Sequence, residues 1–203
     1  MGQENCIKSD TQLWNDFING DEDAYRLIYA TYVRTLFKYG CHFAKDEALI
    51  KDSIQDVFVD LSKYRSRLNS TDNIKLYLFK SLKRKIVRSL GSKKLFGLID
   101  DEKIPFYYTV SVEEEIVDSE LKRNRIELLE KALNGLSPRQ REAIYLKFVS
   151  ELSYEELSKV MQMNYQSARN LVFRGLEKLR LGFPRELFLF FLSLRRPLPD
   201  STK

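Results

Sequence analysis

The stretch LSYEELSKVMQMNYQSARNLVFRGLEKLR, residues 152–180, decides the fold of the C-terminal part of the chain. Ser153 and Glu156 form a capping-box pattern, which predicts a helix from Tyr154 to about position 160. Asn164 is a favourable N-cap for a second helix that runs through position 179. Two helices joined by so short a turn have the spacing of a helix-turn-helix, a motif whose second helix enters the major groove of DNA.

The second helix of this motif has an apolar side and a polar side. The polar side carries residue types that read base edges or hold phosphates, because Arg suits guanine, Asn and Gln suit adenine, and Phe can touch a thymine methyl. The predicted DNA contacts on this side are Gln166, Ser167, Arg169, Asn170, Phe173 and Arg174, and Arg139 of the preceding helix is included with them. An ordinary helical hairpin is the alternative. The preceding helix, with Ser137 as N-cap and Pro138 at its first position, favours DNA binding.

Residues 1–98 are predicted to form a compact helical bundle. Four apolar stripes recur at helical spacing, which is typical of helices that pack on one another. Asn19-Gly20 is predicted to separate the first helix from the second. The polar loop at positions 69–73 precedes the fourth helix, with Thr71 or Asp72 expected as its N-cap.

Residues 99–120 have a different character, with eight acidic residues, one lysine and Pro105. This composition predicts a flexible acidic linker. The predicted fold is therefore all-α, with two small helical domains at 1–98 and 121–182, the second of which contains the helix-turn-helix. The apolar tail at 183–203 has two interpretations, since it could pack on the second domain or contact a regulatory partner.

Composition narrows the possible functions. The chain has 203 residues, a net charge of +5, two cysteines and one histidine. Two cysteines make no disulfide framework and no zinc pattern, so we expect a cytoplasmic protein without metal or cofactor. The N-terminus has no apolar run of the signal-peptide kind.

A basic segment covers residues 73–94, which contain no acidic residue. Its cations supply affinity for phosphates, and its aromatic residues can stack on unpaired bases. The candidate contacts to nucleic acid are Lys75, Tyr77, Lys80, Lys83, Arg84 and Arg88. A solvated basic helix face is the alternative interpretation.

An acidic helix face precedes that segment in the chain. If Ile54, Val57 and Phe58 face inward, four polar residues lie on the outer side: Asp52, Gln55, Asp56 and Asp60. Such a face is either a solvated surface or a docking face for a basic partner helix. No histidine or second acidic cluster accompanies it in the sequence, which argues against a metal site.

Taken together and in this order, these motifs resemble a bacterial RNA polymerase sigma factor of the extracytoplasmic-function (ECF) group. The resemblance covers roughly residues 13–180 and depends on DSIQDVF at 52–58, YLFK at 77–80 and the helix-turn-helix with its preceding LSPRQRE at 136–142. Four positions depart from the usual family pattern. Tyr77 stands at a Trp position, Lys83-Arg84 at an Arg-Asn pair, and Leu171 at a frequent Arg of the recognition helix.

The resemblance implies a role for each motif. Asp52, Gln55 and Asp56 would bind the beta-prime clamp of core RNA polymerase, the basic helix would melt and read the downstream promoter element, and the helix-turn-helix would read the upstream element. It also implies a linker that threads towards the RNA exit path, contact with the beta subunit and a membrane-associated anti-sigma factor. The protein would be a monomer when free and would not be an enzyme.

Two rival functions come from other classes of protein. The first is a two-domain helix-turn-helix regulator that does not bind core polymerase. The second is a nuclease that uses Asp52, Asp56 and Asp60, although these residues lie along one helix without ligands from elsewhere in the sequence.

Overall fold

A computed structural model describes residues 8–92, 104–107 and 120–182 of the chain. The chain divides into two compact units, Met1–Leu98 and Ile99–Lys203, which we call the N-terminal and C-terminal units. Every regular element in the described ranges is helical, which confirms the all-α fold class. Within those ranges, no helix combines the length and the apolar character that crossing a membrane requires.

The N-terminal unit contains four helices: α1 (Asp10–Asn19), α2 (Glu22–Cys41), α3 (Glu47–Lys63) and α4 (Ile74–Ser92), with a short 3-10 turn at Arg65–Arg67. The predicted break after Asn19 is confirmed, because Gly20 ends α1 with a φ of 103°. That left-handed conformation is readily available to glycine. The core draws on all four helices and includes Trp14, Leu36, Phe58 and Phe79.

The beginning of α4 differs from the sequence prediction. The Asn73 side chain accepts a hydrogen bond from the Leu76 amide at 2.7 Å, so Asn73 caps this helix. The prediction of Thr71 or Asp72 was wrong because the Thr71 hydroxyl is occupied within the preceding turn, where it accepts from the Asn73 amide. A carboxylate from α1 adds to the cap, since Asp10 Oδ2 accepts from the Ile74 amide at 2.9 Å.

The C-terminal unit contains α5 (Glu120–Asn134), α6 (Pro138–Ile144), α7 (Tyr154–Val160) and α8 (Tyr165–Gly182). A π-helical turn at Tyr145–Val149 continues α6. The capping boxes at Ser137 and Ser153 are both formed. Helices α7 and α8 are the predicted helix-turn-helix, and Asn164 begins α8 by accepting a hydrogen bond from the Ser167 amide at 2.7 Å.

Helices α6 and α8 pack closely at Gly175. A Cβ added at this position would lie 2.8 Å from Ile144 Cδ1. The absence of a side chain at Gly175 therefore lets the buried face of α8 lie directly against α6. This packing fixes which side of α8 points to solvent.

One piece of the acidic segment packs in the C-terminal unit. Ile104 and Phe106 are buried, and the Phe106 ring lies 5.8 Å from the Tyr145 ring between centroids. This piece, residues 104–107, has no regular secondary structure. The remainder of the predicted linker, apart from Glu120, lies outside the described residues, as does the apolar tail at 183–203.

Candidate functional site

The outer face of α3 carries the predicted acidic residues. Asp52, Gln55 and Asp56 are exposed, and Asp60 is half-buried. The opposite face is buried as predicted through Ile54, Val57, Phe58 and Leu61. Val59 lies among the acidic residues and is 52% exposed. A partner that covered this face would therefore meet both negative charge and apolar surface.

Lys85 of α4 pairs with two of these acids. Its Nζ lies 2.7 Å from Asp60 Oδ2 and 3.6 Å from Asp56 Oδ2. The hydrogen bond with Asp60, aided by attraction to both carboxylates, raises the pKa of the Lys85 ammonium above its ordinary value. The sequence prediction did not include Lys85, because a pair between two helices leaves no mark in the spacing of either one.

The other cations of α4 divide between its outer and inner sides. Lys80, Arg84 and Arg88 are exposed, while Lys75 and Tyr77 are half-buried. Lys83 is 9% exposed, so we remove it from the set of predicted DNA contacts. Its position explains the burial, since Lys83 follows Phe79 by four residues and thus falls on the core-facing stripe of the helix.

A cleft of about 290 Å³ separates the outer parts of α3 and α4. Its polar and aromatic lining comprises Asp60, Tyr64, Tyr77, Ser81, Arg84, Lys85 and Arg88. The spacing of Tyr77, Arg84 and Arg88 by seven and four residues places them on one side of α4. The cleft therefore combines two aromatic rings with three cations, which is the combination that holds single-stranded nucleic acid.

Trp14 of α1 fixes the start of α4. Its indole Nε1 donates to the Asn69 carbonyl at 2.9 Å, and its ring lies 5.0 Å from that of Tyr77 between centroids. Trp14 is fully buried. Tyr77 therefore has one side packed on the core and another that lines the cleft.

The predicted recognition residues of α8 are on its solvent side. All six are exposed: Gln166, Ser167, Arg169, Asn170, Phe173 and Arg174. Ala168, Val172, Gly175 and Leu179 form the buried side. Phe173 is 59% exposed, so its ring is accessible to a partner on the solvent side of α8.

Two further residues border the recognition surface. Arg139, also predicted to contact DNA, is half-buried in the first turn of α6. Tyr165, which the sequence prediction did not include, is 47% exposed at the first position of α8, and its ring lies 6.1 Å from that of Tyr154. Its place next to Gln166 is the signal that could have identified it.

Among the described residues, the acidic side chains of α3 are not part of a cluster that could bind a metal ion. Across residues 8–92, 104–107 and 120–182, no group of three or more His, Cys, Asp or Glu side chains is arranged to hold a metal ion. The sole histidine, His42, is buried at the end of α2.

Comparison with known proteins finds similarity to RNA polymerase sigma factors. Residues 126–179 match the family model "Sigma-70, region 4". Two relatives come from Bacillus subtilis. The chain is 24% identical to the ECF RNA polymerase sigma factor SigM over 160 residues, which cover 78% of this chain and 94% of SigM. It is 25% identical to the RNA polymerase sigma factor SigV over 167 residues, which cover 81% of this chain and 87% of SigV.

Two solved structures share the fold. One is CnrH in complex with the cytosolic domain of CnrY, with a TM-score of 0.59 and 18% identity, covering 86% of this chain and 96% of the other. The second is the sigma factor RpoE in complex with the anti-sigma factor NepR from Bartonella quintana, with a TM-score of 0.55 and 19% identity, covering 78% and 95%. These two structures show the fold, while the matched region and the two relatives show that the chain is similar to RNA polymerase sigma factors of the ECF group over most of its length.

Proposed function

We propose that this sigma factor binds core RNA polymerase through α3 and recognises promoter DNA through α4 and α8, without catalysis of its own. The observation that carries the proposal is that all six of the predicted polar and aromatic residues on α8 are exposed, opposite a side packed against its own unit. The cleft of α4 and the acidic face of α3 add the two further surfaces that transcription initiation requires.

Helix α8 supplies the recognition of the upstream element. Its exposed Gln166, Arg169 and Asn170 lie in the first two turns, the part of a recognition helix that reaches base edges. Arg174 and Phe173 extend the same surface by one turn. Leu171 is half-buried and offers no polar group at the position where the family resemblance leads us to expect an Arg, so we infer that the sequence preference differs there.

The cleft between α3 and α4 supplies the contact to the melted strand. Arg84 and Arg88 can hold backbone phosphates, and the rings of Tyr64 and Tyr77 can stack on a base that has left the duplex. A volume of about 290 Å³ is at the lower end of the range for small-ligand pockets and suits one unpaired base. We infer that the cleft captures the non-template strand as the promoter opens.

The face of α3 supplies the contact to core polymerase. Asp52, Gln55 and Asp56 offer charge and hydrogen-bonding groups, and Val59 offers apolar area at the centre of the face. This combination suits a partner helix rich in Lys and Arg, for which the beta-prime clamp is the candidate. Binding there would place the protein in the cytoplasm.

Transcription in vitro with core polymerase on a library of genomic fragments tests the proposal. We expect the wild-type chain to support initiation at a defined subset of promoters, and Asp52→Arg to abolish core binding in a pull-down. Asp23→Arg is the matched control, because Asp23 is an equally exposed acid on α2. Absence of core binding by the wild-type chain would instead favour the two-domain regulator.

An anti-sigma factor is the proposed regulatory partner. The solved neighbour RpoE is in complex with the anti-sigma factor NepR. We infer that a partner of this class, associated with the membrane, covers the face of α3 and so prevents core binding. Competition between purified core polymerase and a co-expressed candidate anti-sigma factor tests the inference, and simultaneous binding of both to the chain would contradict it.

A further inference from the structure

Lys85 lies where the acidic face of α3 meets the cleft. Its ammonium is within ion-pair distance of Asp56 and Asp60, and its side chain lines the cleft beside Arg84 and Arg88. The same cation therefore belongs to two surfaces for which we propose different partners. One surface would contact polymerase and the other would contact DNA.

We propose that Lys85 couples these two surfaces. When basic groups of a partner pair with Asp56 and Asp60, the Lys85 ammonium is released to a backbone phosphate of a single strand in the cleft. Core binding would thereby add a cation to the DNA site without any movement of α3 or α4. The inference depends on the proposed function, because it assumes that the acidic face binds a basic partner and that the cleft binds nucleic acid.

The exposure of the three side chains makes such an exchange feasible. The Lys85 side chain is 30% exposed, whereas those of Asp56 and Asp60 are 66% and 47% exposed. A basic group from a partner can thus reach the two carboxylates from solvent. Ion pairs this close to water contribute little net stability, so one cation can replace another at small cost.

Charge balance gives the direction of the coupling. Two carboxylates face one ammonium in the free chain, so Lys85 favours the α3 side over the cleft. A partner cation lowers that attraction, and the phosphates then compete for Lys85 more successfully. Linkage is reciprocal, so a strand that draws Lys85 into the cleft must strengthen binding of the basic partner by the same factor.

Binding of a short fluorescent oligothymidylate to the full-length free chain at low salt provides the first test. Asp60→Asn should raise the affinity by roughly three- to tenfold, because it releases Lys85. Asp52→Asn is the matched control, since it removes one charge from the same face but Asp52 is not among the carboxylates paired with Lys85. It should have a clearly smaller effect.

The Lys85→Met background separates release of the Lys85 side chain from the direct effect of removing a carboxylate charge. Because Asp60 itself lines the cleft, Asp60→Asn should keep in that background only the effect of removing its own charge, and should raise the affinity clearly less than it does in the wild-type chain. Equal effects of the two Asn variants in the wild-type chain, or an undiminished Asp60→Asn effect in Lys85→Met, would overturn the coupling. Circular dichroism of each variant verifies that the helices are intact.

Holoenzyme assembled from core polymerase provides the second test. Lys85→Met should weaken oligothymidylate binding by roughly threefold more in the holoenzyme than in the free chain, because core binding has released the side chain. Lys80→Met should weaken it equally in both states, since Lys80 is already exposed. Equal losses for Lys85→Met in the two states would contradict the proposal.

The same assay distinguishes failure of the coupling from failure of the proposed DNA site. If Arg84→Ala and Arg88→Ala leave binding unchanged, the cleft does not bind nucleic acid and both proposals fail. If they weaken binding while Asp60→Asn behaves as Asp52→Asn, the cleft is a DNA site but Lys85 does not couple it to α3.

Discussion

Helices α4 and α8, the two proposed DNA-contacting helices, differ in what holds their first turns. Each has a local asparagine cap, Asn164 for α8 and Asn73 for α4, that accepts from an amide three residues away. The start of α4 also depends on residues distant in sequence, since Asp10 lies 64 residues from Ile74 and Trp14 lies 55 residues from Asn69. The properties of α4 are therefore more sensitive to changes elsewhere in its unit.

The two helices also differ in how their polar groups are used. The recognition residues of α8 are exposed on a side that faces solvent. On α4, Lys83 is buried and Lys85 is paired with α3, which leaves Lys80, Arg84 and Arg88 as its exposed cations. This contrast suggests that α8 reads sequence as a rigid surface, whereas the DNA affinity of α4 can be adjusted by its neighbours.

The largest expected effect concerns the separate roles proposed for the two helices, which are duplex binding for α8 and promoter opening for α4. Arg174→Ala should weaken binding of holoenzyme to upstream-element duplex by roughly ten- to hundredfold, about 1–3 kcal/mol, with little change in core affinity. Arg84→Ala should leave duplex binding nearly unchanged and reduce promoter opening. Footprinting measures the first effect and permanganate reactivity of unpaired thymines measures the second. Equal loss of both activities in either variant would contradict the division.

Alkaline pH should destabilise the N-terminal unit through Tyr32. Burial, together with the nearby Asp10 carboxylate, raises the pKa of Tyr32 from 10.0 to about 12. Because the folded chain holds this proton more tightly than the unfolded chain, the associated stability is fully present below pH 10. It is lost as pH rises towards 12, and the loss amounts to at most about 2 kcal/mol.

Urea unfolding of wild type and Tyr32→Phe across this pH range measures that loss. The difference between the two chains isolates Tyr32 from Tyr25, whose pKa is also raised by burial. The stability of Tyr32→Phe should fall less steeply above pH 10. Parallel curves would show that Tyr32 ionises alike in the folded and unfolded chains.

Substitution of Gly40 and Gly175 allows the packing of the two units to be compared. At Gly40 of α2, an added Cβ would lie 2.6 Å from Ile50 Cγ2, a methyl held close to the backbone of α3. At Gly175 the nearest atom is the terminal Cδ1 of Ile144, which can move by rotation. We expect Gly40→Ala to cost about 1–2 kcal/mol and Gly175→Ala to cost less than about 1 kcal/mol, since alanine also favours the helix. Urea unfolding measures both, and the reverse order would contradict this packing argument.

The smallest expected effect compares the two helix starts. Asn164→Ala should cost about 1 kcal/mol, because it removes the side-chain acceptor of α8. Asn73→Ala removes an acceptor at the same 2.7 Å distance from α4 but leaves the Asp10 carboxylate on the neighbouring amide. Its cost should therefore be smaller in urea unfolding. Asn164→Asp is the control that keeps the acceptor, and a loss equal to that of Asn164→Ala would argue against capping as the cause.

Much of the fold could be predicted from the sequence because its signals are local. Capping boxes at Ser137 and Ser153, the Asn164 cap and the break at Gly20 each involve neighbours within a few residues. The exposed set on α8 followed from helical spacing in the same way. Those predictions needed no knowledge of what packs against each helix.

The errors and omissions involve contacts between distant segments. Lys83 was predicted to contact nucleic acid because it is one of the cations of the basic segment, but its place on the buried stripe follows from what packs against α4. Lys85 was omitted because its partners are on another helix. Burial of Ile104 and Phe106 was not predicted, since two apolar residues in an acidic segment show no helical period and their packing depends on Tyr145.

The carboxylate of Asp10 has a consequence for the order of events during synthesis. Asp10 is synthesised before the other helices of its unit, yet the amide that its carboxylate binds belongs to Ile74, 64 residues later. Until that part of the chain has left the ribosome, the Asp10 carboxylate cannot accept from the Ile74 amide and the Trp14 indole cannot donate to the Asn69 carbonyl. The hydrogen bonds that join α1 to the start of α4 can therefore form only after most of the N-terminal unit has been synthesised.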